Sequence, residues 1–215
     1  MLQDLDDTTG SMALHERVEA NIRRATDALC VRQRDDGHWV FELEADATIP
    51  AEYVLLRHFL GEDDDPEIEA KIGNYLRARQ SPQHDGWPLY HDGGFDISAT
   101  IKAYYALKMI GDQPDEPHMA RARAAILRAG GAETCNVFTR IQLALFGAGP
   151  WSGVPVMPPE LILDPTWFPI HLGKMSYWAR TVIVPLLVLC ALKPRARNPR
   201  GVFVPELFSG REAGL

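Results

Sequence analysis

Cysteine is scarce in this sequence, and no two cysteines are near each other. Cys30, Cys135 and Cys190 are an odd, widely spaced set with no C-x-x-C pair and no histidine cluster beside them. That pattern excludes a zinc site and fits a reducing compartment. Basic charge is short as well: 22 Lys+Arg stand against 29 Asp+Glu, and the basic residues are scattered rather than gathered into a stripe. Attraction to a phosphate backbone would be weak, so no nucleic acid is expected as a partner. Long apolar runs are missing too. Val182 to Leu192 is the most apolar stretch, but Pro185 interrupts it and a bilayer span needs roughly 20 residues, so it predicts a buried helix. The start is acidic, at Asp4, Asp6 and Asp7, without the basic residues and apolar stretch of a secretion signal. None of the seven histidines has H-E-x-x-H spacing, and there is no Gly-rich phosphate loop, G-x-S-x-G elbow or Cys/His nucleophile pair.

What the chain does have is helical periodicity over enough apolar residues, 46% of 215, to bury a core. Residues 1–11 are polar and aperiodic and are expected to form a disordered tail, with one domain over 12–215. From Ala13 to Arg32, Leu14, Val18, Ile22, Ala25 and Leu29 form one stripe at three- and four-residue steps. Further helices are predicted at Ala51–Leu60, Pro66–Gln80, Ala99–Ile110, Pro117–Ala129, Thr134–Phe146 and Lys174–Lys193. Nothing alternates with period two, so the fold class is all-α. Gly61, Gly111 and Gly147 each follow an apolar helix of similar length, which marks an internal repeat. Ahead of the first two of these helices lies a Gln-to-Trp segment, Gln33 to Trp39 and Gln80 to Trp87. A helix, a Gly-Trp turn and a returning helix, repeated, describe stacked helical hairpins of the kind that close into an α/α barrel. Six prolines between Pro150 and Pro169 predict an irregular crossover. The segment Pro194–Leu215, with Val202, Phe203, Val204, Leu207 and Phe208, shows no partner in the sequence.

These residues, taken in order, resemble the squalene–hopene cyclases. The resemblance rests on the two Gln-to-Trp segments, on Pro50 to Leu56, Ser98 to Gly111, Asn136 to Leu145, Pro158-Pro-Glu160 and Ser176 to Arg180. It covers the chain from about Val18 to Phe208. It implies the N-terminal part of a terpenoid cyclase toroid, an α/α barrel left incomplete in this chain. The implied activity is the cyclisation of squalene, an apolar polyene, to hopene and hopanol through carbocations, with no cofactor and no metal. The family's proton donor sits in a D-x-D-D motif of the other barrel, C-terminal to residue 215. No catalytic residue is therefore expected here, the chain alone is expected to be inactive, and a C-terminal cyclase domain is its implied partner.

Three substrate-binding residues follow from the same likeness. Trp178 matches a tryptophan that lines the family's cavity, where an indole face steadies positive charge on a hydrocarbon that offers no hydrogen bonds. Glu52 matches a glutamate in the polar network where the last cation is quenched; read without the family, it is a first-turn glutamate favoured by the helix dipole. Leu43 matches a cavity-side leucine. The implied location is the cytoplasmic side of a membrane, held peripherally without a transmembrane span.

Two acidic motifs are set aside. Asp4-Leu-Asp6-Asp7 is a literal D-x-D-D string, but a mobile terminus cannot hold a carboxyl protonated, and Asp96 is expected to be a helix N-cap. Two alternatives remain: a non-catalytic fragment or split subunit that docks onto a separate C-terminal half, and an α/α-barrel glycosidase with an acid/base pair drawn from Glu44, Asp46 and Glu52.

Overall fold

The computed structural model describes residues 4–41, 44–62 and 65–210, with side chains from residue 12 onward. The described residues are helical and contain no strand. They form two compact units, Met1–Glu44 and Ala45–Leu215.

The first unit is helix α1, Asp4–Arg32, and the turn that follows it. The helix takes in Asp4 to Ser11, where periodicity is absent and a tail was expected. Periodicity reports burial of a face, and a helix can continue without it. The stripe residues Leu14, Val18, Ile22 and Leu29 are exposed.

The second unit is built around α4, Ile97–Ile110, of which eleven residues are buried. Its sequence is apolar on nearly every side, so it must be surrounded. It packs against α2 (Thr48–Leu60), α3 (Pro66–Arg79), α5 (Pro117–Arg128) and α6 (Val137–Leu145). Trp87, Tyr104, Tyr105, Leu55, Leu76 and Met119 are among the fully buried side chains. Each such side chain contributes about 1.5–3 kcal/mol through burial.

Helix ends follow local chemistry. The side chains of Asp65, Asp96 and Asn136 accept from Ile68, Ala99 and Thr139 N–H at the starts of α3, α4 and α6. Asp96 is thus the cap that its position predicted. Gly61 closes α2 at φ +66, and Gly111 follows α4 at φ +130; both conformations penalise any residue with a Cβ.

The two Gln-to-Trp segments close in the same register despite their different lengths. Trp39 Nε1 donates to the Leu29 carbonyl at 2.7 Å, and Trp87 Nε1 to the Leu76 carbonyl at 2.8 Å, each acceptor lying four residues before the glutamine. Gln33 donates to Gly37 O, and Gln80 to Asp85 O and also to His118 O on α5. The turns differ in burial: Trp87 is fully buried, and Trp39 is 45% exposed.

The proline-dense crossover is irregular, with short 3-10 turns at Trp151–Gly153, Pro159–Leu163 and Leu172–Lys174. Helix α7, Tyr177–Leu192, follows with Ser176 as its N-cap and Pro185 inside it. The segment after α7, expected to lack a partner, packs instead on the core. Val204 and Leu207 are fully buried, with Val202 and Phe208 packed beside them. Its apolar residues are too short a run to show a helical or strand period, which is why the sequence hid their destination.

Candidate functional site

Glu52 is the fifth residue of α2, one turn further in than the first-turn place the sequence suggested because the helix starts at Thr48; Lys102 lies in the middle of α4, and the close packing of these helices brings the two side chains into an ion pair. Lys102 is the more enclosed member. Its side chain is 9% exposed against 43% for Glu52. A lysine among apolar neighbours must either lose its charge or find a carboxylate, and Glu52 is that carboxylate. Glu52 stood out from the sequence, and Lys102 did not. The signal was present: Lys102 interrupts a helix of otherwise apolar and small residues, Ile97 to Ala106.

The same face of α4 carries Ser98, one turn before Lys102. Its hydroxyl accepts the Asn136 N–H at 3.0 Å, joining α4 to the start of α6. Cys135, adjacent to that contact, is fully buried, and burial pushes its thiol up to about 11 although Arg140 and Lys102 pull it down. It is therefore an unreactive thiol at neutral pH. Arg140 donates to the Cys135 and Gly153 carbonyls, tying the turns that flank α6 to that helix.

Trp178 lies in the first turn of α7 and is 78% exposed, with Tyr177 beside it at 74%. The sequence expectation was an inward-facing indole. Within this chain it lies at the surface instead, and α7 buries one residue, Leu187, out of sixteen. No hydrogen bond or ring contact among the described residues joins Trp178 to Glu52. Leu43 lies outside the described residues. The Asp4 to Asp7 string falls in the first turns of α1 rather than ahead of any helix, and its side chains are outside the description.

Asp112, Glu116 and His118 are the one group of potential metal ligands that converge among the described residues. Their chemistry is that of an ion-pair cluster. Arg77 holds both Asp112 oxygens, at 2.5 and 2.9 Å, and His118 Nε2 shares the second at 2.7 Å. A guanidinium on both oxygens leaves a cation poorly placed to bind.

The Glu52–Lys102 pair can be weighed directly. Glu52→Gln and Lys102→Met should each destabilise the chain, whereas the double variant should cost less than their sum by about 1–2 kcal/mol. Chemical denaturation of the four proteins gives that coupling; additive effects would show that the contact carries no energy.

A family model described as the squalene-hopene cyclase N-terminal domain matches residues 22–214. The chain is 67% identical over 195 residues to a squalene–hopene cyclase of Zymomonas mobilis, an alignment covering 91% of this chain and 30% of that protein. Identity is 62% to one from Bradyrhizobium diazoefficiens, covering 90% and 29%. To one from Alicyclobacillus acidocaldarius it is 40%, covering 86% and 29%. The chain therefore spans about 30% of the length of the curated relatives it matches. The glycosidase alternative finds no support: Asp46 accepts Thr48 N–H just ahead of α2, Glu52 is held by Lys102, and the relatives are cyclases. With the match running through every helix of the second unit and at this level of identity, the chain belongs to the squalene–hopene cyclase family, in which it corresponds to the N-terminal domain.

Proposed function

We propose that this chain is the N-terminal wall of an enzyme that cyclises squalene to hopene and hopanol, and that it needs a C-terminal cyclase domain to do so. The observation that carries the reading is its 67% identity to a squalene–hopene cyclase of which it spans 30%. In the proposed reaction an acid on the C-terminal domain protonates the terminal alkene, and the cation advances through successive ring closures. Loss of a proton gives hopene, and capture of water gives hopanol.

The part assigned to this chain is positioning and charge stabilisation. Trp178 offers a π face worth about 2 kcal/mol or more once water is excluded. Its exposure on α7 suits a role in which a second domain completes the enclosure. Glu52, oriented by Lys102, supplies a polar group to the end where the final cation is quenched, and Leu43 contributes apolar wall. The assembled enzyme would work peripherally at the cytoplasmic face of a membrane; no helix of the described residues is long and apolar enough to cross one.

Incubation with detergent-dispersed squalene tests the reading. The purified chain should yield no hopene, and co-expression with the remaining, C-terminal part of the Zymomonas mobilis relative should give it. Hopene from this chain alone would overturn the assignment of the acid to another domain. If the complemented protein makes no triterpene, the cyclase reading itself fails.

A further inference from the structure

We propose that residues 194–209, the segment after α7, act as a clasp that closes over the C-terminal ends of α2, α4 and α6 and locks those three helices to one another. The last carbonyls of a helix have no partner within it and must find donors elsewhere. Here one stretch of chain supplies them to three helices. Ala196 N–H donates to Leu145 O of α6 at 2.7 Å. Arg197 and Asn198 N–H donate to Phe59 O and His58 O of α2 at 3.1 and 3.2 Å. The Arg200 guanidinium donates to Met109 O of α4 at 2.8 Å.

The arrangement is built rather than incidental. Beneath the clasp the Phe146 ring, just after α6, meets Phe59 of α2 and Tyr105 of α4 edge to face at 6.2 and 5.3 Å. The clasp is pre-shaped: Asn198 takes φ +40, and its side chain bonds both the N–H and the carbonyl of Val202 across a turn closed by Gly201 N–H on Asn198 O. It is then fastened by charge. Arg200 pairs with Glu69, which also holds the buried His58, and Glu206 accepts from Lys108 and from Tyr104 Oη on α4. Tyr105 Oη reaches Val202 O, and at the far end Ser209 N–H and Oγ–H both donate to Glu133. The approach to α2 is close enough that a Cβ on Gly61 would lie 2.7 Å from the Arg197 side chain.

Hydrogen–deuterium exchange on the 215-residue chain tests the proposal, with the amides of α4 as the reference in the same sample. The amides of Ala196, Arg197 and Asn198 belong to no helix, yet they should exchange as slowly as those of α4. Exchange at open-coil rates would overturn the clasp. Arg200→Met should accelerate exchange about tenfold in the last turns of α2, α4 and α6 together, while their first turns stay unchanged. If that variant does not fold, Glu206→Gln, which weakens the Lys108 pair but leaves every hydrogen bond to a helix-end carbonyl in place, should produce the same pattern more weakly. Acceleration confined to residues 194–209, with the helix ends unmoved, would show that the segment covers the helices without coupling them.

Discussion

Replacing Trp87 with alanine should abolish the cooperative thermal transition of the second unit, whereas the same change at Trp39 should cost about 1 kcal/mol. Both indoles bond a carbonyl four residues before a glutamine, so motif and hydrogen bond are shared. The difference is burial. Trp87 is fully enclosed among the side chains around α4, and Trp39 is 45% exposed. Truncating a buried tryptophan costs about 3–5 kcal/mol through lost transfer energy and the cavity left behind. Leaving the Leu76 carbonyl without a donor adds about 1–3 kcal/mol. Together these approach the whole stability of a domain, about 5–15 kcal/mol. At Trp39 water fills the gap and solvates the Leu29 carbonyl. Calorimetry on the two variants separates the cases, and equal losses would mean that the hydrogen bond, and not the packing, dominates the motif.

The second large effect is expected at Asp112. It is 6% exposed, and three contacts from Arg77 and His118 converge on its oxygens. Burial by itself would raise its pKa, but the hydrogen bonds and charges of Arg77 and His118 outweigh it and hold the carboxyl below its ordinary range. Asp112→Asn should cost about 2–3 kcal/mol at neutral pH. That is below the about 3–5 kcal/mol of a fully enclosed pair, because the Arg77 side chain is 36% exposed and water compensates part of the loss. The sign with pH follows from the direction of the shift. A depressed folded-state value gives stability that is present above the unfolded pKa of about 3.9 and is lost as pH falls through the folded value. Denaturation midpoints of wild type and variant should therefore differ at pH 7 and converge in acid. A gap that stays constant through the acid range would remove Asp112 as a source of acid sensitivity.

Much of the helical layout could be read directly from residue chemistry. Asp65-Pro66 and Asp96 start helices because short polar side chains satisfy first-turn N–H groups, and Gly61 and Gly111 end them because they tolerate positive φ; α6 and α7 begin three residues later than expected, after the caps Asn136 and Ser176. These are local events, complete within four residues. What escaped prediction was non-local. The burial of Val204 and Leu207 depends on α4 and α5, about a hundred residues earlier, and no period in a short apolar tail announces it. Lys102 escaped for a related reason: a lysine in an apolar helix becomes intelligible only when the partner carboxylate on another helix is known. For the candidate site, Glu52 and Trp178 were picked out from family likeness, and the structure adds the ion pair of one and the surface placement of the other.

The clasp also imposes a schedule on synthesis. Lys108 and Glu206, which fasten it, are 98 residues apart. At ribosomal rates of about 5–20 residues per second, α4 emerges roughly 5–20 seconds before its fastening exists, with α2 made earlier and α6 later. For that interval their last carbonyls and the ring cluster of Phe59, Tyr105 and Phe146 are open to whatever else is nearby. A nascent chain stalled short of Ala196 should therefore be a client for chaperones, and one released past Ser209 should not.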